Sequence, residues 1–195
     1  AYCERIEAFL EYPEISDMVS LLTMINNPFH DISLASILRS PLVGLTLSEL
    51  AQIRLAASRE HFYSGVLKFM SENPLSPTTS KLRSFISRLE RWRRTAGCCS
   101  VGELVQQIYL ETGYSDYIRA TTPDSSGVEN LDQFLKLAWQ FSQDDQSDLR
   151  SFLNYLDIVQ ERSTPISSVQ AGAGVGVRIM SVHASKGLEF PVVVL

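Results

Sequence analysis

Apolar residues recur at three- and four-residue spacing through most of the chain, and this pattern predicts a mainly helical protein. The first helix is expected over residues 2–25 and is broken or restarted at Pro13. Beyond it, Ile15, Met18, Val19, Leu22 and Ile25 form one apolar stripe. Asn26-Asn27-Pro28 stops that helix, and another begins at Asp31, with Asp31 or Ser33 as its N-cap. Ser40 to Leu45 reads as a turn. Thr46 then caps a further helix, with Glu49 in the capping-box position. Over 46–70, one or two helices are expected to turn Leu50, Ile53, Phe62, Val66, Leu67 and Phe69 inward. Residues 73–80 read as a loop. The helix expected from Lys81 to Arg94 carries Leu82, Phe85, Ile86, Leu89 and Trp92 on its apolar side.

Ser100 with Glu103 signals another capping box, and Gly113 a C-cap. After a loop over 121–127, a helix from Asn130-Leu131 carries Phe134, Leu135, Leu137, Ala138 and Phe141. The last expected helix spans Leu149 to Gln160. Residues 163–176 read as a linker. The pattern then changes. Val177–Val182 and Pro191–Leu195 are short β-type runs that flank a polar segment. Glycines 172, 174 and 176 precede a strand, so they do not form a nucleotide fingerprint, which opens a helix.

Charge adds three candidates. Glu4, Glu7, Glu11 and Glu14 fall on one helix face, read as solvated. Lys81, Arg83, Arg88, Arg91, Arg93 and Arg94 share a helix with one acid, Glu90. That helix is either a phosphate-facing stripe or the wet side of a core helix. Asp144, Asp145 and Asp148 make an acidic loop without metal-ligand spacing. Overall the 195 residues are 45% hydrophobic and 20% charged, ordinary for one or two globular domains. The net charge of −5 gives no whole-chain attraction to nucleic acid, so any such contact must be local. Cys3, Cys98 and Cys99 fit neither a redox pair nor a zinc framework, and point to a reduced, cytoplasmic chain.

The polar segment between the two β-type runs holds His183, Ser185, Lys186, Gly187 and Glu189. A loop at the carboxyl end of a parallel strand is where such sheets bind ligands. Lys186 can meet phosphate, Gly187 admits close backbone approach, and Glu189 can accept from sugar hydroxyls.

Met180-Ser-Val-His-Ala-Ser-Lys-Gly-Leu-Glu-Phe-Pro191 resembles motif V of the UvrD/Rep-like superfamily 1 DNA helicases. Ser181 stands where Thr is usual and keeps the hydroxyl. The resemblance implies that Ser181 and His183 touch single-stranded DNA. It further implies that Glu189 holds the ATP ribose and that Lys186-Gly187 lies near the phosphates. Asn27-Pro28 through Leu45, and Leu104 through Tyr117, are similar to AddA-type (RexA) helicase–nuclease subunits of that superfamily. There the Gly turn and following helix, here Val43, Gly44, Leu45 and Thr46, contact the backbone of the duplex ahead of the fork. Lys81, Arg88 and Arg91 are weaker candidates for the same DNA. On physical grounds a Gly turn entering a helix N-terminus offers free N–H groups and a positive dipole end to phosphate.

The resemblance implies a division into four parts. Residues 1–25 form a flank of a RecA-like subdomain 2A, and 26–165 form a helical subdomain 2B. Residues 166–176 link to 177–195, a strand-loop-strand of 2A. The implied fold class is mainly α with a small α/β remnant at the C-terminus. The implied function is that of a piece of an ATP-dependent 3′→5′ DNA helicase/exonuclease for double-strand break repair in the bacterial cytoplasm. ATP and Mg²⁺ would serve the full-length protein, and an AddB/RexB-type subunit would be its partner.

No G-x-x-x-x-G-K-[ST] loop, Walker-B acidic pair or nuclease cluster occurs in the sequence. The chain also starts without Met and stops inside Pro-Val-Val-Val-Leu, so the expectation is an excised piece, inactive alone and without cofactor. Two alternatives stand beside this reading. One is a helical module that binds a partner protein; the other is the same region of a UvrD- or RecB-like helicase. If the Gly44 turn and the basic helix share a face, DNA is favoured; a dominant apolar patch favours a protein partner.

Overall fold

Pro13 sits at the first position of a helix, where its missing N–H costs nothing. It thereby splits the N-terminal helical pattern into α1 (Ile6–Glu11) and α2 (Pro13–Asn26) in this computed structural model. The structure describes residues 6–57, 60–122, 125–143 and 148–162. Eight more helices follow: α3 (Asp31–Arg39), α4 (Leu47–Ala56), α5 (Phe62–Glu72), α6 (Pro77–Ala96), α7 (Val101–Thr112), α8 (Tyr114–Thr121), α9 (Ser126–Phe141) and α10 (Leu149–Arg162). The protein is mainly α, with no strand among the described residues. The expected linker and β-type runs lie outside them. None of the described helices is long and apolar enough to cross a membrane.

The architecture is built on α2. Ile15, Met18, Leu21, Leu22 and Met24 are fully buried, which requires neighbours on more than one side of the helix. Those neighbours are α1, α3, α6, α9 and α10. Around this axis, α4 pairs with α5 and α7 with α9. One apolar core runs through all of them and includes Trp92, Phe85, Phe134 and Phe152. Full burial of each such side chain stabilises the fold by about 1.5–3 kcal/mol.

Several expectations are corrected. The N-cap of α3 is His30, whose Nδ1 accepts from the Ser33 amide at 3.4 Å. Asp31 instead turns to α5, where its carboxylate accepts from the Phe62 amide at 2.8 Å and so caps another helix. The basic helix starts at Pro77, four residues before Lys81, because Ser76 caps it and Pro77 fits its first turn. Similarly, α9 starts at Ser126 rather than at Asn130. Leu67 is 45% exposed and does not face inward.

Glu14 does not belong to a solvated face. It is buried and accepts from Asn130 Nδ2 at 2.7 Å, joining α2 to α9. One turn on, Asp17 accepts from the Tyr114 hydroxyl at 2.7 Å, joining α2 to α8. Burial raises the Asp17 carboxyl, the Tyr114 bond opposes that rise, and Glu14 adds to it.

Candidate nucleic-acid interface

The turn from Ser40 to Leu45 is closed by its own backbone. The Val43 and Gly44 amides donate to the Ser40 carbonyl at 3.1 and 2.8 Å, and the Leu45 amide donates to the Leu38 carbonyl at 2.8 Å. Ser40 Oγ donates to the Ile37 carbonyl and accepts from the Leu42 amide. Gly44 has φ +71°, a left-handed backbone that side chains disfavour, and a Cβ there would meet nothing within 4 Å. Gly44 and Thr46 are therefore presented to solvent, Val43 is half-buried, and the buried Leu45 side chain anchors the turn from below.

The free N–H groups expected from the turn lie one step further on. Bonds to Ser40, and to Leu38 at the end of α3, satisfy the amides of Val43, Gly44 and Leu45. At the start of α4, Thr46 Oγ1 accepts from the Glu49 amide at 3.2 Å, completing the predicted capping box. This leaves the exposed Leu47 and Ser48 amides with no described acceptor.

Glu49 organises the corner. Its Oε2 accepts from the Thr46 amide at 2.7 Å and from the Thr46 hydroxyl at 2.9 Å. Its Oε1 accepts from the Thr78 hydroxyl at 2.7 Å, in the first turn of α6. The Thr46 amide first, then the Thr78 hydroxyl, holds the Glu49 carboxyl down to about 2. The sequence pattern signals the Thr46–Glu49 box but not Thr78, because that contact crosses 29 residues.

The basic helix packs behind this corner. Lys81 Nζ donates to the Gly44 carbonyl at 3.0 Å and lies 3.7 Å from Glu49 Oε1. Arg88 Nη2 donates to the Leu42 carbonyl at 3.4 Å, and its guanidinium lies over the Trp92 ring at 5.9 Å. Arg88 Nε is buried with no hydrogen-bond partner. Thus Lys81 and Arg88 share the face of the Gly44 turn. Arg91 is held from another side: it pairs at 2.9 Å with Glu111 of α7, which also accepts from the Trp92 indole N–H at 2.9 Å. Ser181, His183, Lys186, Gly187 and Glu189 lie outside the described residues.

Residues 4–195 match the UvrD-like helicase C-terminal domain. The chain belongs to this family. It is similar to an A-type ATP-dependent helicase/nuclease subunit from Desulforudis audaxviator, 37% identical over 197 residues. The same-named proteins of Oceanobacillus iheyensis and Natranaerobius thermophilus are 37% identical over 197 residues and 38% identical over 201 residues. These alignments cover 98–100% of this chain and 16% of each relative. The chain therefore spans about one sixth of the length of these relatives. Within this UvrD-like domain, the corner built from the Gly44 turn, the α4 N-terminus and the front of α6 is the candidate interface.

Proposed function

We propose that this UvrD-like domain is part of an ATP-dependent 3′→5′ DNA helicase/exonuclease subunit of the AddA type, acting on DNA ends in double-strand break repair. In this reading, residues 26–165 act as a 2B subdomain between 2A segments at 1–25 and 177–195, with 166–176 as linker. The Gly44 corner meets the duplex. Ser181 and His183 follow the single strand, while Lys186, Gly187 and Glu189 face ATP. Such a loop touches both ligands, so one shift of it couples them. Among the described residues no group of three or more His, Cys, Asp or Glu side chains is placed to hold Mg²⁺. Nucleotide and metal would be held largely by the rest of a longer protein. An AddB/RexB-type subunit is its partner, and the bacterial cytoplasm its place.

The observation that carries this reading is the docking of Lys81 and Arg88 on the carbonyls of the Gly44 turn. Lys81 and the half-buried Arg88 then lie beside the exposed start of α4, whose Leu47 and Ser48 amides have no described acceptor, and such a helix N-terminus can receive a phosphodiester. The test compares Gly44→Asp with Gly44→Asn. Both residues tolerate a left-handed backbone, and they differ in charge. Binding of a labelled duplex with a 3′ single-stranded tail is followed by fluorescence anisotropy at low salt. The Asp variant is expected to bind at least fivefold more weakly than the Asn variant; equal affinities would refute the assignment.

A further inference from the structure

The helix α4 is apolar on two opposite sides. Its buried side is Ile53, which is fully enclosed, and a Cβ on Gly65 of α5 would stand 4.0 Å from the Ile53 side chain. The helix packs chiefly on α5 and α3. On the other side Leu47, Ala51 and Leu55 recur at four-residue spacing and are all exposed, Leu47 at 64% and Leu55 at 78%. At about 100° per residue, Ala51 points roughly 160° away from Ile53. Ser48 and Arg54 border this stripe, and within α4 Arg54 is the only charge on that border. Its guanidinium is drawn aside: Nη1 donates to the Glu60 carbonyl at 2.9 Å and lies 3.8 Å from the Asp31 carboxylate of α3.

A surface helix ordinarily turns a polar face to water, and a single exposed Leu needs no explanation. Three apolar positions in one uncharged row do. The row reads large, small, large, so it leaves a hollow at Ala51 between two leucines. Rows at four-residue spacing are the ridges that interlock when two helices pack, so the shape fits a crossing helix. Phosphate finds no partner on such a face. The area then decides which helix. With ten residues, α4 is about 15 Å long and about 10 Å across, so the stripe covers roughly 150 Å². A stable complex of two free proteins buries about 800 Å² on each partner, so this stripe alone does not hold a second copy. A helix tethered through the same polypeptide is different, because the tether raises its local concentration to about the millimolar range. This chain spans about one sixth of the length of the relatives it matches, so a polypeptide of that length has ample chain to supply the occupant.

We propose that the Leu47–Ala51–Leu55 stripe seats an apolar helix from another domain of the same longer polypeptide, with a bulky aliphatic or aromatic side chain in the hollow at Ala51. The seat begins at Leu47, beside the Thr46–Glu49 capping box. One short helix therefore carries both the seat and the candidate duplex corner, and covering the seat fixes that corner relative to the covering domain. The inference rests on reading the chain as part of a longer helicase/nuclease subunit. It fails separately from that reading: the Gly44 variants test duplex contact, and they leave the seat untouched.

The test places Ala51→Cys both in this 195-residue chain and in the subunit-length polypeptide that contains it. Alkylation by N-ethylmaleimide is read at position 51 by peptide mass spectrometry, so other cysteines do not interfere. The thiol is expected to react at least about tenfold more slowly in the long polypeptide, the ratio by which covered molecules outnumber open ones. Adding Leu55→Glu puts a charge into the seat and should restore the rate to within about twofold of that in the short chain. Because Leu55 is exposed, that substitution should leave the urea midpoint of the short chain unchanged. Sedimentation should find the short chain monomeric. Any one of four results overturns the proposal. Equal rates in the two polypeptides would mean an uncovered stripe, and protection that survives Leu55→Glu would come from elsewhere. Protection that appears only when a second subunit is added would assign the stripe to that subunit. A dimer of the short chain that Leu55→Glu dissolves would assign it to a second copy.

Discussion

Replacing Glu49 with Gln tests whether one carboxylate holds the candidate interface together. The carboxylate accepts from the Thr46 amide, the Thr46 hydroxyl and the Thr78 hydroxyl, at 2.7, 2.9 and 2.7 Å. A Gln side chain has one acceptor oxygen and an NH₂ that cannot accept, so at least one of these donors loses its partner. Lowering the carboxyl from 4.5 to about 2 corresponds to about 3 kcal/mol of native-state stabilisation. The side chain is 20% exposed, and screening reduces the expected effect to about 2 kcal/mol. Because the folded-state value is depressed, this contribution is present above the unfolded value of 4.5 and is lost as pH falls toward 2. Urea denaturation of the parent and of Glu49→Gln should therefore differ in midpoint by about 1 M at pH 7, taking a slope of roughly 2 kcal/mol/M. By about pH 3 the difference should have shrunk to less than half. A gap that stays constant from pH 7 to 3, or one below about 0.5 kcal/mol at pH 7, would refute the charge-assisted cap as the source. The variant should also weaken duplex binding, because Glu49 ties the α4 N-terminus to α6 and to Lys81.

Two further outcomes are expected. Gly113 closes α7 at φ +63°, so Gly113→Ala should destabilise the fold by about 1 kcal/mol and Gly113→Asn by less, measured as denaturation midpoints. Tyr114→Phe removes the hydroxyl that donates to Asp17 at 2.7 Å and favours its ionised form. The Asp17 carboxyl is already raised by burial, so its ionisation weakens the fold as pH rises through its folded value. The substitution should cost about 1–2 kcal/mol at pH 7 and less at pH 4; an equal loss at both would point to packing alone.

Local signals in the chain were strong enough to set most of the helices. Pro13, the Thr46–Glu49 and Ser100–Glu103 boxes and Gly113 act within one turn, so their effect does not wait on tertiary contacts. The buried faces of α2 and α6 were equally legible, because a period near 3.6 places Ile15, Met18 and Leu22, or Leu82, Phe85 and Leu89, on one side. The UvrD-like family was legible for a different reason: the resemblance rested on a stretch, Met180 to Pro191, that combines several residue types at fixed spacing, and the family match covers residues 4–195.

What the sequence left open depends on partners distant along the chain. Asp31 looks like the cap of its own helix, but it caps α5 because the fold brings the Phe62 amide to it. Glu14 has the spacing of a wet acidic face, but it is buried because Asn130 arrives across 116 residues to meet it. The same holds for the six cations of α6. Their spacing alone allowed a phosphate stripe or a solvated face. The tertiary structure divided five of them: Lys81 and Arg88 bind the carbonyls of the Gly44 turn, Arg91 binds Glu111, and Arg93 and Arg94 open onto a cleft. A charged side chain has no preferred partner until packing sets which groups lie within reach, whereas a cap or an apolar stripe is defined by residues already adjacent on the helix.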